Sequence, residues 1–91
     1  MSKSLAERRA RLFAEKWGEG ARVEDNWSGY WAVFNLFGDC PLHLDFRPDG
    51  EVELDGRIFS GQVGPIAEEI FKLADTIRAV LEELPDEVPT C

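Results

Sequence analysis

The sequence predicts a two-layer α+β domain: an N-terminal helix, an antiparallel meander of three or four strands, and a long C-terminal helix packed on the sheet. Three observations predict it. A capping-box spacing opens an apolar stripe of helical period near the N-terminus, the middle of the chain alternates apolar and polar residues, and a second helical stripe follows Pro65. With 91 residues, 44% of them hydrophobic, the chain has material for one core and not for two. Residues 1–85 are therefore read as a single domain and residues 86–91, which lack periodicity, as a loose tail.

Ser4-Leu5-Ala6-Glu7 lets the serine hydroxyl and the glutamate carboxylate each satisfy an unpaired amide at a helix start. The helix should run from Leu5 to Trp17 and stop at Gly18, whose missing Cβ permits a positive φ. Leu5, Ala6, Ala10, Leu12, Phe13 and Trp17 form its apolar stripe, with Glu7, Arg8, Arg11 and Glu15 opposite. Arg9 and Lys16 fall inside the stripe, so their stems should line its edge while their charges reach water.

From Ala21 to Asp55 the period becomes alternating. Residues 21–27 form a short strand, a turn follows at Ser28-Gly29, and Tyr30 to Phe37 is rich in the aromatic and β-branched types that suit strands. Gly38-Asp39-Cys40-Pro41 breaks that strand, and Leu42 to Arg47 makes the next, with Leu42, Leu44 and Phe46 on one face and His43, Asp45 and Arg47 on the other. Pro48-Asp49-Gly50 suits a three-residue hairpin loop that ends in a left-handed bulge. That loop pairs Arg47 with Glu51, Phe46 with Val52, Asp45 with Glu53, Leu44 with Leu54 and His43 with Asp55. A slip of one residue would set buried against solvated faces.

Gly56 to Gly64 reads as a loop carrying Ile58 and Phe59. Pro65 can then open a helix without losing a hydrogen bond, and Glu68 and Glu69 complement the positive end of its dipole. Ile66, Ile70, Leu73, Ala74, Ile77, Leu81 and Leu84 recur at helical spacing up to Pro85.

The net charge of −8 is unevenly placed: residues 1–22 net +3 and the remainder nets −11. An acidic body repels phosphates and anionic membranes, and steers toward basic protein surfaces. No apolar run reaches the length of a membrane span, and the first residues lead into a charged helix rather than an apolar signal core. A cytoplasmic location is expected, with Cys40 and Cys91 as reduced thiols.

The residue types that carry catalysis are sparse. Cys40, His43 and Asp45 supply a nucleophile, a base and an orienting acid, but neighbours on one strand face stand about 7 Å apart, too far for direct hydrogen bonds between short side chains. A metal site from Cys40, His43, Asp45 and Asp55 would mix soft and hard ligands and has no paired spacing such as C-x-x-C. The glycines are scattered as turn punctuation and cradle no phosphate. The expectation is accordingly no catalytic residue, no metal and no cofactor.

The hairpin register instead points to a binding face. Asp45 opposite Glu53 is a like-charge pair that costs a sheet a few tenths of a kcal/mol or more. Glu51 and Asp55 extend it into an acidic ladder that only Arg47 and His43 relieve. If Leu36 faces the core beside Leu42, then Trp31, Val33 and Phe37 share the acidic face. Trp31 with Asp45, Glu51, Glu53 and Asp55 would then receive arginine or lysine side chains of a protein partner. A second arrangement explains the same residues: the basic first helix folds over this face, Phe13 and Trp17 cover Trp31, and Arg9 and Lys16 neutralise the acids. A homodimer pairing the basic helix of one copy with the acidic body of another stays open.

In size, acidity and lack of catalytic residues the whole chain resembles the small phage-encoded inhibitors of the anti-CRISPR kind. The resemblance implies a non-enzymatic protein that blocks a basic, nucleic-acid-binding surface, in some members by imitating the charge of DNA. Asp45, Glu51, Glu53 and Asp55, with Glu68, Glu69, Asp75, Glu82 and Glu83, would serve that role here. The order of helix, meander and helix is also similar to part of the type III secretion chaperone fold, whose members are small, acidic and dimeric. That second resemblance implies a chaperone, antitoxin or immunity-type module binding through an apolar face. Neither implies direct contact with nucleic acid or membrane.

Overall fold

Helix α1, Leu5–Trp17, opens as its capping box dictates, with the Ser4 hydroxyl accepting from the Glu7 amide at 3.1 Å. The computed structural model describes residues 4–18, 20–25, 29–37, 42–58 and 60–85, and of Gln62 the backbone alone. Trp27, Cys40, Phe59, Cys91, the break at 38–41 and the tail 86–91 lie outside the described residues, and with them the expectations placed there. Gly18 ends α1 at φ 122°, a conformation that L side chains rarely adopt.

Four short strands follow: β1, Arg22–Asp25; β2, Trp31–Phe34; β3, His43–Phe46; and β4, Val52–Asp55. They form one antiparallel sheet in sequential order, so the expected meander is present in its four-stranded form. The hairpin register is the one the loop chemistry requires, with Asp45 opposite Glu53 and His43 opposite Asp55. Its turn closes through the Arg47 amide to the Glu51 carbonyl at 2.9 Å, and Gly50 supplies the positive φ of 96°. A 3₁₀ turn, Ser60–Gln62, leads into α2, Val63–Glu83. The fold class is thus α+β, as expected.

One packing relation differs from expectation. The helix laid against β1, β2 and β3 is α1, whereas α2 packs chiefly on α1. Phe13 of α1, fully buried, stacks on Trp17 with ring centroids 5.5 Å apart and meets Phe46 of β3 at 5.9 Å. From α2, Leu73 and Val80 enter the same core as Phe13, Val33, Leu44 and Phe46, and Ile66 packs with Leu42 and Phe37. Both helices have an apolar stripe, but α1 is flanked by the alanines Ala6 and Ala10, which are fully or almost fully buried and allow close approach. Val80 is fully buried where the expected stripe named Leu81, while Ile70 is left partly exposed.

Arg9 also departs from expectation. Its charge does not reach water: the residue is 3% exposed and its guanidinium donates to the Leu84 carbonyl at 2.8 Å and the Gly50 carbonyl at 3.3 Å. The carbonyls that end a helix have no partner within it and carry partial negative charge. Arg9 therefore ties α1 to the end of α2 and to the β3–β4 turn.

Candidate functional site

The two faces of the sheet are built from alternate residues of the same strands. Inward, toward α1, point Val23, Trp31, Val33, Leu44, Phe46 and Val52. Outward point His43, Asp45, Glu53 and Asp55, with Phe34 stacked on His43 and Tyr30 under Arg47.

Trp31 consequently does not share the acidic face. It stands opposite Phe46 in the register, packs against the core, and carries the Arg11 guanidinium 5.4 Å from its ring centre. Val33 is fully buried on the same inner side, and Phe37 meets Trp17 edge to face at 5.8 Å. The expectation failed because it carried strict alternation through to Leu36. Asn35 breaks that alternation at φ 65°, a left-handed conformation that asparagine tolerates better than most residues. Val33 and Leu36 can then both face the core, three positions apart. The aromatic side chains that do accompany the carboxylates are Tyr30 and Phe34, and the asparagine inside an aromatic run was the signal for them.

Nor does α1 cover the acidic face. Lys16 pairs with Glu83 of α2, Arg11 with Glu7 one helical turn away, and Arg9 with carbonyls, so these three cations of α1 are engaged on the helical side. The outer face is left uncovered at β4, where the side chains of Glu51, Glu53 and Asp55 are 69%, 46% and 67% exposed.

Two clusters share this face. Around Arg47 gather Glu53, in close contact through its Oε1, Asp49 at 3.5 Å and Glu51 at 3.6 Å, with the Tyr30 ring centre 5.3 Å from the guanidinium. The hydrogen bond that Arg47 donates to Glu53 holds the Arg47 pKa above its ordinary value, against partial desolvation. The second cluster is centred on His43. Its ring lies 4.8 Å from that of Phe34, and its Nε2 is 3.4 Å from Asp45 Oδ2 and 4.0 Å from Asp55 Oδ2. His43 and Asp45 are thus far closer than their spacing along the strand implied, because side chains lean along the strand as well as standing off it.

Asp45 is the least exposed acid of the ladder, at 6%. Ala32, almost fully buried, stands beside it on β2. Burial pushes its carboxyl pKa up from the ordinary 3.8; His43 opposes that shift, and the nearby charges of Asp55 and Glu53 add to it. Its Oδ1 is buried without a hydrogen-bond partner among the described residues. Sequence reasoning placed Asp45 on this face but not its burial, which depends on neighbours from two other strands.

Away from the sheet face, an open cleft of about 420 Å³ lies between the end of α1 and the start of α2. Trp17, Phe37 and Ile66 give it an apolar wall, Glu68 and Glu69 an acidic rim, and Lys72 sits 4.3 Å over the Trp17 ring. Large apolar side chains are exposed at Leu54, Ile58, Val63, Ile70 and Phe71, all between β4 and the first half of α2. No helix among the described residues is long and apolar enough to cross a membrane.

No family model, curated protein or solved structure matches this chain.

Proposed function

We propose that the chain is a non-enzymatic binding protein that occupies a basic surface of a nucleic-acid-binding protein or complex, in the manner of a stoichiometric inhibitor. The observation that supports this reading most directly is the exposed row Glu51, Glu53 and Asp55, along β4 and the residue just before it, on a sheet face that neither helix covers. Three cations of α1 are engaged with α2, the β3–β4 turn and α1 itself, so the acidic excess of the remaining chain is left to face outward. Carboxylates on alternate residues of one strand stand about 7 Å apart, a fixed array of negative charge that steers arginine and lysine side chains of a partner. Arg47 holds Glu53 and Glu51 in place while offsetting part of their charge. Asp45 contributes field rather than contact, because it is buried.

A second reading rests on Phe71, 77% exposed, with Val63 and Ile70 also exposed on α2. Exposed apolar groups of this size mark binding surfaces in many proteins, and they fit the chaperone or antitoxin alternative.

Capture from host lysate with the tagged chain separates the two. A variant with Glu51, Glu53 and Asp55 all changed to lysine, checked for folding by circular dichroism, should lose a nucleic-acid-binding partner that the parent retains. Binding of that partner should weaken sharply as salt rises. A Phe71→Asp variant should keep it. The opposite pattern, with capture insensitive to salt and lost in Phe71→Asp, would overturn the acidic-face reading in favour of the apolar one.

A further inference from the structure

We propose that His43, Asp45 and Asp55 form a binding site for one first-row divalent transition-metal ion, with Zn²⁺ as its best match. The three side chains each offer one donor atom, and these donors all lie within 4.8 Å of one another. The register brings them together: His43 and Asp45 alternate on β3, and Asp55 stands directly opposite His43 on β4.

The spacing is wider than that of a tight ion pair and suits ligands around a cation. An imidazolium donating to a carboxylate draws to about 2.8 Å, whereas His43 Nε2 stands 3.4 Å from Asp45 and 4.0 Å from Asp55. Donors bound to zinc at about 2.0–2.1 Å in a tetrahedral arrangement lie about 3.3–3.4 Å from each other. His43 and Asp45 already have that separation. Asp55, largely exposed, stands 4.0 Å from His43 and within 4.8 Å of the Asp45 donor, so it moves inward on binding, and it leaves the fourth position open to water.

A second observation points to a ligand independently of the cluster. The Asp45 side chain is 8% exposed, and its Oδ1 is buried with no hydrogen-bond donor among the described residues. A buried carboxylate oxygen without a partner costs on the order of 1–3 kcal/mol or more, and a cation bound to the same carboxylate through Oδ2 offsets part of that cost by stabilising the shared negative charge. The orientation of the other ligands is already set. Asp55 accepts the Gly56 amide on Oδ1 at 2.8 Å, which leaves Oδ2 toward His43, and the His43 ring is held against Phe34. Glu53, the remaining acid nearby, is engaged by Arg47 and stays outside the set.

The donor chemistry selects the ion. One imidazole nitrogen with two carboxylates suits Zn²⁺, Co²⁺, Ni²⁺ or Mn²⁺, while Ca²⁺ and Mg²⁺ prefer oxygen throughout. Two negative charges and a neutral imidazole match a divalent charge. Loading the site would cancel charge at the His43 end of the outer face, Asp55 included, and leave Glu51 and Glu53 at the Arg47 end unchanged; the site itself does not require the proposed partner.

The test uses the full chain carrying Cys40→Ser and Cys91→Ser, so that thiols do not compete, stripped of metal by a chelator. Calorimetric titration with Zn²⁺ should show one ion per chain, and the His43 ring resonances should shift as it binds. His43→Gln, Asp45→Asn and Asp55→Asn should each weaken affinity by more than about tenfold, since loss of a group that only supports a ligand already costs 10–100-fold. Glu53→Gln should leave it within about twofold, and excess Ca²⁺ should not compete. A titration without a saturable site overturns the proposal, and so does one in which any of the three ligand substitutions leaves the affinity unchanged. Thermal unfolding of each variant without metal separates lost ligation from lost folding.

Discussion

The inner and outer faces of the sheet share the same four strands and obey different rules. On the inner face apolar side chains pack against one another, as where Phe13 meets Phe46, and Trp17 of α1 meets Phe37 beyond the end of β2. On the outer face like charges stand opposite each other, as at Asp45 and Glu53, and one carboxylate oxygen of Asp45 is buried without a partner among the described residues. The inner face holds the fold together, whereas the outer face carries charge that folding alone does not require. That difference is why the proposed binding face is the side away from α1.

Substitutions should separate the faces by size and by sign. The largest loss is expected on the inner side: Phe13→Ala empties a fully buried ring site and should cost about 3–5 kcal/mol, read by urea unfolding. Retention of wild-type stability would mean that α1 is not the helix laid on the sheet. Arg9→Met keeps the buried stem but strands the Leu84 and Gly50 carbonyls, and a loss of about 2 kcal/mol is expected in the same assay. A fully tolerated change would detach the end of α2 from α1.

The outer face should respond in the opposite direction. Asp45→Asn should stabilise the metal-free chain at neutral pH, measured by thermal unfolding in chelator. The sign follows from the raised pKa: between 3.8 and the higher folded value, the folded state holds a proton that the unfolded chain has released, so stability falls as pH rises through that window. The ionisation penalty is fully present above the folded pKa and absent below 3.8, so the advantage of asparagine should close in acid. An advantage independent of pH would sink the burial argument. In the presence of Zn²⁺ the order should reverse, because the variant lacks a ligand. The smallest effect is expected at Arg11→Ala, whose exposed pair with Glu7 and contact with Trp31 should together be worth no more than about 1 kcal/mol in urea unfolding.

Much of the chain was legible because its signals are local. Ser4 and Glu7 lie within one turn of helix, so α1 begins and ends where its cap and Gly18 say. The β3–β4 register follows from a three-residue loop ending in Gly50, and with it the facing of Asp45, Glu53, His43 and Asp55. Trp31 was misplaced because one residue, Asn35, can shift the parity of everything on one side of it, and alternation by itself does not reveal a left-handed residue. Arg9 was misread because its partners lie 41 and 75 positions away. The acidic ladder was legible in outline, but its division into a part neutralised by Arg47 and a part gathered on His43 was not.

By itself, then, the sequence determined the span of α1 and the body of α2, though α2 begins at Val63 rather than at Pro65, the hairpin with its register, and an acidic body behind a basic first helix. These depend on caps, turns and periods, whose energies are settled among residues a few positions apart. Only the tertiary structure decided that α1 rather than α2 lies against the sheet, that Arg9 is buried while Glu53 is exposed, and that Asp45 loses its water. Each of those outcomes depends on which of two amphipathic helices fits a given surface, and that choice is made by packing between residues far apart in the chain.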